Sequence, residues 1–222
     1  GVVDVGLTGS DLILERSADV ETVFSLGYGK CRLCVAVHND YIASDLAPLQ
    51  GKTIATSFPT ITKGFFAKNG IDVTCVEMNG SVEIMVALGL ADAIVDIVET
   101  GDSLRDNNLK VLADIGCYET VMICSRAVSA DPRVASMKRR IEGILVASRY
   151  SILEFNIKES ALKDAERVAP GYESPTVSRL DEPGWVAVKV MVLKERVVET
   201  MDRLQDIGAT AILETEVKNC RL

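Results

Sequence analysis

ADAIVDIVETGDSLRDNNL (residues 91–109) begins as an apolar run that contains Asp92 and Asp96. It breaks at Thr100-Gly101 and continues as a polar segment with helical spacing. A buried strand, a turn and a helix in this order are the repeating unit of mainly parallel α/β sheets. In such sheets ligands gather at the carboxyl ends of the strands, on the loops that lead into helices. The stretch therefore predicts an α/β fold and a location for its site.

The same alternation extends from residue 28 to residue 126. Apolar runs predict strands at 31–37, 52–56, 71–77, 91–98, 109–115 and 119–126. Helical spacing predicts helices at 59–69 and 81–88, and a long helix that begins at Asp131-Pro132 and ends near Arg149. We therefore expect a mainly parallel sheet with right-handed crossovers.

The pattern changes after residue 149. It predicts strands at 150–156, 174–180, 185–193 and 209–214, with helices at 159–168 and 195–207. The order β-α-β-β-α-β is that of the ferredoxin-like fold. We place a domain boundary near residue 148, and we expect this module to serve ligand sensing or assembly, because it has no catalytic-looking cluster.

Composition excludes several functional classes. The 222 residues include 24 Lys and Arg against 32 Asp and Glu, a net charge of −8 that argues against a nucleic-acid surface but permits small anionic ligands. No apolar run reaches the length of a membrane span, and the first residues do not resemble a signal peptide. The chain has no initial Met and starts in the strand-like alternation Val3, Val5, Leu7. We therefore expect an N-terminally incomplete first lobe.

Six cysteines and one histidine do not form a convincing zinc site. Cys31 and Cys34 have C-x-x-C spacing, but no second pair follows and His38 is the only histidine. Buried strand cysteines in a reducing cytoplasm are the preferred interpretation.

Three turns that combine glycine with a hydroxyl residue follow predicted strands. In the first, the turn at 100–103 can hold a phosphate with N–H groups and hydroxyls, or Thr100 or Ser103 can simply cap a helix. Asp96 can accept hydrogen bonds from a sugar diol or bind Mg²⁺ through water. The others, at 5–11 and 79–83, allow the same two interpretations.

Several segments in order resemble the ATP phosphoribosyltransferase family, in its long form. They are GLTGSD (6–11), GKTIATSFP (51–59), NGSVEI (79–84), ADAIVDIVETGDSL (91–104), SALKDA (160–165), ESPTV (173–177) and IGATAIL (207–213). The resemblance implies an α/β catalytic part of two lobes, similar to type II periplasmic binding proteins, and a ferredoxin-like βαββαβ regulatory domain. It implies lobe II at 28–118, the remainder of lobe I at 1–27 and 119–147, and the regulatory domain at 148–222.

The resemblance also implies the chemistry. N1 of ATP joins C1 of phosphoribosyl pyrophosphate and pyrophosphate leaves, with Mg²⁺ held mainly through substrate phosphates and no protein metal site. Adenine itself is the nucleophile, so no Ser, Cys or His nucleophile is expected. The cytoplasmic enzyme acts on no nucleic acid or membrane and forms dimers and hexamers.

The site residues follow from the same resemblance. The phosphoribosyl pyrophosphate loop comprises Asp96, the catalytic residue that holds the ribose hydroxyls, with Glu99, Thr100, Gly101, Asp102, Ser103 and Leu104. Gly9, Asp11, Thr56, Ser57, Gly80 and Glu83 line the cleft where ATP binds. Asn156, Tyr172, Thr176 and Ala211 match the pocket for histidine, the inhibitor, which lies between neighbouring regulatory domains.

Two departures from the family accompany this match. No segment matches the Pro-Asn-Lys-Gly-like turn that supplies a lysine, and Ser103 stands where threonine is common. Asp102 is unusual in an anion loop, and its side chain is expected to point outward. A non-enzymatic solute-binding module, or an inactive regulatory fragment, is the alternative function.

Overall fold

The computed structural model describes residues 3–98 and 101–221, and the chain divides into two compact units, 1–135 and 136–222. In the described part of the first unit the order is β1 (Val5–Gly9), α1 (Ser10–Glu15), β2 (Glu21–Ser25), β3 (Cys31–His38), β4 (Thr53–Thr56), α2 (Pro59–Lys68), β5 (Thr74–Glu77), α3 (Ile84–Ala87), β6 (Ala93–Val98), α4 (Asp102–Asp106), β7 (Leu109–Tyr118) and β8 (Thr120–Cys124). The long predicted helix is α5 (Pro132–Ala147), within which the division between the units falls.

The smaller sheet of the first unit has the order β1-β8-β2, and both pairings are antiparallel. The chain leaves this sheet after β2 and returns to it between β7 and β8. The two crossings are hydrogen-bonded to each other, because Leu26 N–H donates to the Thr120 carbonyl at 3.0 Å and Thr120 N–H to the Tyr28 carbonyl at 3.1 Å. These crossings join the two sheets.

The larger sheet has the order β5-β4-β6-β3-β7. Strand β4 is parallel to β5 and β6, whereas β3 is antiparallel to β6 and β7. The prediction of a mainly parallel sheet is therefore wrong in its pairings, since two of the four are antiparallel. An apolar run marks a strand but not its direction, and β3 enters from the smaller sheet at the edge where β6 and β7 end.

Both faces of the larger sheet are covered. Leu33, Val35 and Val37 of β3 belong to one core cluster, and Cys34 and Ala36 belong to the cluster on the other face. Burial on two faces explains why the predicted strands are continuous apolar runs and do not alternate. It also makes any acidic side chain on these faces costly.

The second unit confirms the predicted β-α-β-β-α-β order. Its elements are β9 (Tyr150–Lys158), α6 (Leu162–Val168), β10 (Thr176–Arg179), β11 (Trp185–Leu193), α7 (Val197–Asp206) and β12 (Thr210–Glu216). The antiparallel sheet has the order β10-β11-β9-β12. Leu153, Phe155 and Ile157 alternate with more exposed residues along β9, so one face of the sheet forms the core.

Among residues 3–98 and 101–221, no helix is long and apolar enough to cross a bilayer.

Candidate active site

The candidate site lies at one edge of the larger sheet. Strands β4, β5, β6 and β7 end there, and the antiparallel strand β3 begins there. The register places Arg32 opposite Val98 and Cys31 opposite Tyr118. Loops that are far apart in sequence therefore meet at this edge, as expected for ligand sites in α/β sheets.

Asp96 lies on β6 directly before this edge. Its Oδ1 accepts a hydrogen bond from Ile97 N–H at 2.8 Å. Burial raises the pKa of Asp96, the nearby Glu83 carboxylate raises it further, and the Ile97 N–H acts in the opposite direction. Glu83 therefore lies close enough to Asp96 for its charge to act on the Asp96 carboxyl.

The loop after β6 is described from Gly101 onward, so Glu99 and Thr100 lie outside the described residues. Gly101 has a φ of +80°, a conformation that favours glycine, and α4 starts at the next residue. Leu104 is buried beneath the turn, whereas Ser103 is exposed. The Asp102 side chain is 64% exposed and pairs with Arg105, which confirms that it points outward.

Gly9 and Asp11 belong to the smaller sheet and to the start of α1. A Cβ at Gly9 would overlap the carboxylate of Asp11, a residue that is only 7% exposed. Burial, and then the Asp11 charge, raise the pKa of Tyr118, so Asp11 lies near the end of β7. Ser10 binds the crossing after β7, since Glu119 N–H donates to its Oγ at 3.1 Å. This start of α1 therefore faces the same edge.

The hydroxyls of Thr56 and Ser57 form hydrogen bonds with backbone groups of the protein. Thr56 is fully buried, and its Oγ1 accepts a hydrogen bond from Phe58 N–H at 2.9 Å. Ser57 donates to the Met78 carbonyl at 2.9 Å and so ties the end of β4 to the end of β5. Thr56 has no exposed surface with which to line a cleft. Sequence alone could not reveal this, because a hydroxyl that binds the backbone inside the protein and one that binds a ligand look the same in the sequence.

The turn before α3 is open. Gly80 has a φ of +92°, and a Cβ added there would meet no atom within 4 Å. Ser81 also has a positive φ, of 51°. This turn leads directly to Glu83, whose carboxylate acts on Asp96.

One set of residues at this edge was not predicted from the sequence. A cleft of about 790 Å³ is lined by Gly29, Lys30, Cys31, Arg32, Val98, Cys117, Tyr118 and Glu119. The signal was present in Gly27-Tyr-Gly-Lys-Cys-Arg32, where Gly27 and Gly29 both have a positive φ and two basic residues follow. In the sequence, attention went to the C-x-x-C spacing of Cys31 and Cys34, and the neighbouring Lys30 and Arg32 were not considered as site residues.

Within the described ranges no group of three or more His, Cys, Asp and Glu side chains is arranged to hold a metal ion. Cys34 is fully buried and its Sγ donates to Asp114 Oδ1 at 3.1 Å. Burial, together with this hydrogen bond, raises the pKa of Cys34 to about 12. A thiol held in this way stays protonated at neutral pH and is a poor metal ligand.

Comparison with known proteins identifies the family. A family model described as ATP phosphoribosyltransferase matches residues 1–143, and another, described as HisG, C-terminal domain, matches residues 147–219. The chain belongs to the ATP phosphoribosyltransferase family. An ATP phosphoribosyltransferase of Rhodopirellula baltica is 46% identical over 222 residues, which cover all of this chain and 74% of that protein. One of Salinibacter ruber is 37% identical over 227 residues and is covered to 79%.

Solved structures agree with this family and with the fold. The ATP phosphoribosyl transferase (HisG:HisZ) complex from Thermotoga maritima matches 66% of this chain and 72% of its own, with a TM-score of 0.60 and 30% identity. A substrate-binding protein of an amino acid ABC transporter matches 67% of each chain, with a TM-score of 0.50. Its 22% identity supports the fold alone. The fold is thus a two-lobed α/β, periplasmic-binding-protein-like part followed by a ferredoxin-like domain.

The four residues predicted to bind histidine in this phosphoribosyltransferase lie apart in the second unit. Tyr172 and Thr176 line a cavity of about 410 Å³ beside β10, and Ala211 lines another, of about 530 Å³, beside β12. Asn156 of the inner strand β9 lies opposite Thr210 of β12, the residue before Ala211. Because β10 and β12 are the two edges of the sheet, one copy of the chain does not bring the four together.

Proposed function

We propose that the protein catalyses the first step of histidine biosynthesis, as an ATP phosphoribosyltransferase. The reaction joins N1 of the adenine of ATP to C1 of phosphoribosyl pyrophosphate and releases pyrophosphate. The observation that carries the proposal is the partly buried Asp96 at the carboxyl edge of the sheet, directly before the turn that contains Gly101, with Glu83 near enough to raise its pKa. It is supported by the family match over residues 1–143.

Asp96 is the proposed catalytic residue, and its role is to position the ribose. Its ionised carboxylate accepts hydrogen bonds from the ribose hydroxyls and fixes the ring for attack at C1. The N–H groups of Gly101, Asp102, Ser103 and Leu104 and the Ser103 hydroxyl, with Glu99 and Thr100 before them, hold the 5′-phosphate. Such a site accelerates the reaction mainly through orientation and through stabilisation of charge that develops on ribose and pyrophosphate.

The residues present fit Mg²⁺ bound with the substrate. Magnesium in nucleotide sites usually takes one or two carboxylates together with substrate phosphates and water. Glu83 and Asp96 supply neighbouring carboxylates of this kind. Bound magnesium would supply charge neutralisation at the pyrophosphate, while Asp96 and Glu83 orient the sugar.

The ATP side of the cleft is assigned to residues on both sheets. Gly9 and Asp11 face the edge from the smaller sheet, and Ser57, Gly80 and Glu83 approach it from the larger one, with Thr56 supporting them from beneath. The proposed domain bounds are lobe II at 28–118, lobe I at 1–27 and 119–147, and the regulatory domain at 148–222.

The cysteines support a cytoplasmic location for the enzyme, because none of the six is paired in a disulfide.

Histidine regulation and homo-oligomer formation complete the proposal. Asn156, Tyr172, Thr176 and Ala211 are assigned to a histidine pocket built between regulatory domains of neighbouring copies, in dimers or hexamers. The placement of Tyr172 and Thr176 at the β10 edge and of Ala211 at the β12 edge supports a shared pocket, because a second copy that packs edge to edge would bring such residues together.

One assay tests the function directly. Pyrophosphate release is measured with ATP, phosphoribosyl pyrophosphate and Mg²⁺, with and without histidine, on this chain and on a longer form that carries the Lys-bearing turn of the family. We expect release that depends on both substrates and falls with histidine. Histidine binding without release in either form would favour a regulatory fragment, and neither binding nor release would contradict the whole proposal.

A further inference from the structure

The cleft at the start of β3 offers positive charge to an otherwise acidic site. The proposed site residues with ionisable side chains are acids, namely Asp11, Glu83, Asp96, Glu99 and Asp102. Phosphoribosyl pyrophosphate is itself a polyanion, so its pyrophosphate needs cationic partners in the same place. Lys30 and Arg32 line the cleft together with the Glu119 carboxylate.

Another basic residue, Arg105, lies near the turn that contains Gly101. Arg105, in the last turn of α4, pairs with Asp102. Lys30, in contrast, forms no ion pair with any residue in the described ranges, and its side chain is exposed. Arg32 is 45% exposed, so its guanidinium can reach a ligand in the cleft.

Register places Arg32 beside Asp96. Cys34 of β3 lies opposite Asp96 of β6, so the two side chains share one face of the sheet. Arg32, two residues before Cys34, lies on the same face and opposite Val98. Arg32 and Asp96 are therefore diagonal neighbours in an antiparallel pair, typically about 7–8 Å apart. The Arg32 guanidinium itself pairs with Asp114 of β7, on the other side of β3, so a ribose held at Asp96 would extend its C1 substituent across β3 to reach it.

Asp114 holds the Arg32 guanidinium in place. Arg32 NH1 lies 3.4 Å from Asp114 Oδ1, which also accepts the Cys34 Sγ–H hydrogen bond at 3.1 Å. Because the guanidinium has five N–H donors in a planar fork, a contact to Asp114 leaves others available for a phosphate. This makes Asp114 a positioning residue for Arg32.

We propose that Arg32 binds the pyrophosphate group of phosphoribosyl pyrophosphate, with Lys30 adding positive potential at the mouth of the cleft. The inference rests on the proposed function, since it assigns the leaving-group side of that same site. Arg32 is a catalytic residue in this assignment, because it touches the group that departs.

The chemical step that Arg32 assists is balanced without a further reactant. The lone pair of adenine N1 forms the bond to C1, and the C1–O bond breaks with its electron pair going to pyrophosphate. The adenine loses a proton from its exocyclic amine to solvent. Arg32 stabilises the negative charge that grows on the departing oxygen, an effect strongest in the transition state.

The test uses the whole chain and two simple probes. Affinities for inorganic pyrophosphate and for ribose 5-phosphate are measured by calorimetry on the unmodified chain and on Arg32→Gln. We expect pyrophosphate affinity to fall about 10–100-fold, the range for a lost hydrogen bond to a charged group, while ribose 5-phosphate affinity is unchanged. Where turnover is measured, kcat should fall about 100-fold. KM should rise for phosphoribosyl pyrophosphate and not for ATP.

Arg126→Gln is the matched control, because this arginine also pairs with one aspartate, Asp19, but lies outside the cleft. Unchanged pyrophosphate affinity in folded Arg32→Gln would overturn the assignment, and so would an effect on ATP alone. If Arg32→Gln does not fold, the test is made on the unmodified chain by NMR. We then expect the Arg32 Nε–H signal to shift when pyrophosphate is added, and the absence of a shift would overturn the assignment of Arg32 to pyrophosphate. A chain that binds pyrophosphate through Arg32 yet releases none from the two substrates would refute the proposed function and leave the Arg32 site standing.

Discussion

At the scale of single residues, the partly buried Asp96 carboxylate lowers the stability of the fold at neutral pH. It occupies a face of β6 that is otherwise apolar, with Ile94 and Val98 as its neighbours on that face. Burial raises the pKa of Asp96, so the folded chain holds this proton more tightly than the unfolded chain does. The ionised carboxylate therefore costs stability at neutral pH, and this cost disappears as the pH falls through the raised pKa.

Asp96→Asn should abolish turnover and stabilise the fold. The amide keeps an oxygen to accept the Ile97 N–H bond but carries no charge to desolvate. We expect a higher Tm than that of the unmodified chain at pH 7, with a difference that is constant above the raised pKa of Asp96 and shrinks as the pH falls below it toward the ordinary carboxyl value. Thermal unfolding across pH measures this, with the exposed Asp72→Asn as control. A lower Tm at pH 7 would show that the carboxylate is a folding residue.

Gly9 tests the packing around Asp11. Because a Cβ at this position would overlap the buried Asp11 carboxylate, Gly9→Ala should destabilise the chain by about 1 kcal/mol, the lower end for overpacking. Gly64→Ala is the control, since a Cβ there meets no atom within 4 Å on an exposed face of α2. It should stabilise by about 0.5–1 kcal/mol, the usual gain when alanine replaces a glycine inside a helix. The free energy of unfolding in urea is measured for both variants. Equal changes in the two would show that the Asp11 carboxylate does not restrict the space beside Gly9.

At the scale of elements, α1 and α2 are joined by one carboxylate. Glu15, the last residue of α1, accepts hydrogen bonds from Thr60 N–H at 2.9 Å and Ile61 N–H at 3.0 Å. These N–H groups belong to the first turn of α2, where helices leave donors without partners and favour negative charge. Since α1 follows the smaller sheet and α2 packs on the larger, Glu15 links the two.

Glu15→Ala should destabilise the first unit by about 2 kcal/mol, because two donors to a buried carboxylate lose their acceptor. Glu15→Gln should cost less, since the amide oxygen still accepts one of the bonds. Glu21→Ala, an exposed acid on β2, should change little. The free energy of unfolding in urea measures all three, and a small effect of Glu15→Ala would mean that water replaces the carboxylate.

At the scale of the molecule, the chain consists of two units with separate cores. The core cluster of the second unit is formed by residues between 153 and 209 and includes none from the first. Residues 129–222, which contain all of α5 and the β-α-β-β-α-β module, should therefore fold when expressed alone. A dispersed NMR spectrum and a cooperative unfolding transition are the expected results. A collapsed spectrum would show that the module depends on the rest of the chain.

Much of the architecture could be predicted because local rules determine it. Short apolar runs marked most strands of the larger sheet, and another marked β9, since buried strands need apolar side chains. The strand-to-helix turns at Gly9, Gly80 and Gly101 were located for the same reason. Strand direction could not be obtained in this way, so the reversal of β3 was not predicted.

The sequence by itself determined the family, the order of the elements and the pairing of Asp96 with a glycine turn, because these depend on residues close together in the chain. Only the tertiary structure decided which side chains share a surface. The reversed β3 carries Arg32 to the diagonal neighbour position of Asp96, 64 residues later in the chain, and a buried hydrogen bond removes Thr56 from the cleft. Such placements depend on long-range register and burial, and these are set by packing of the whole sheet and leave no local pattern.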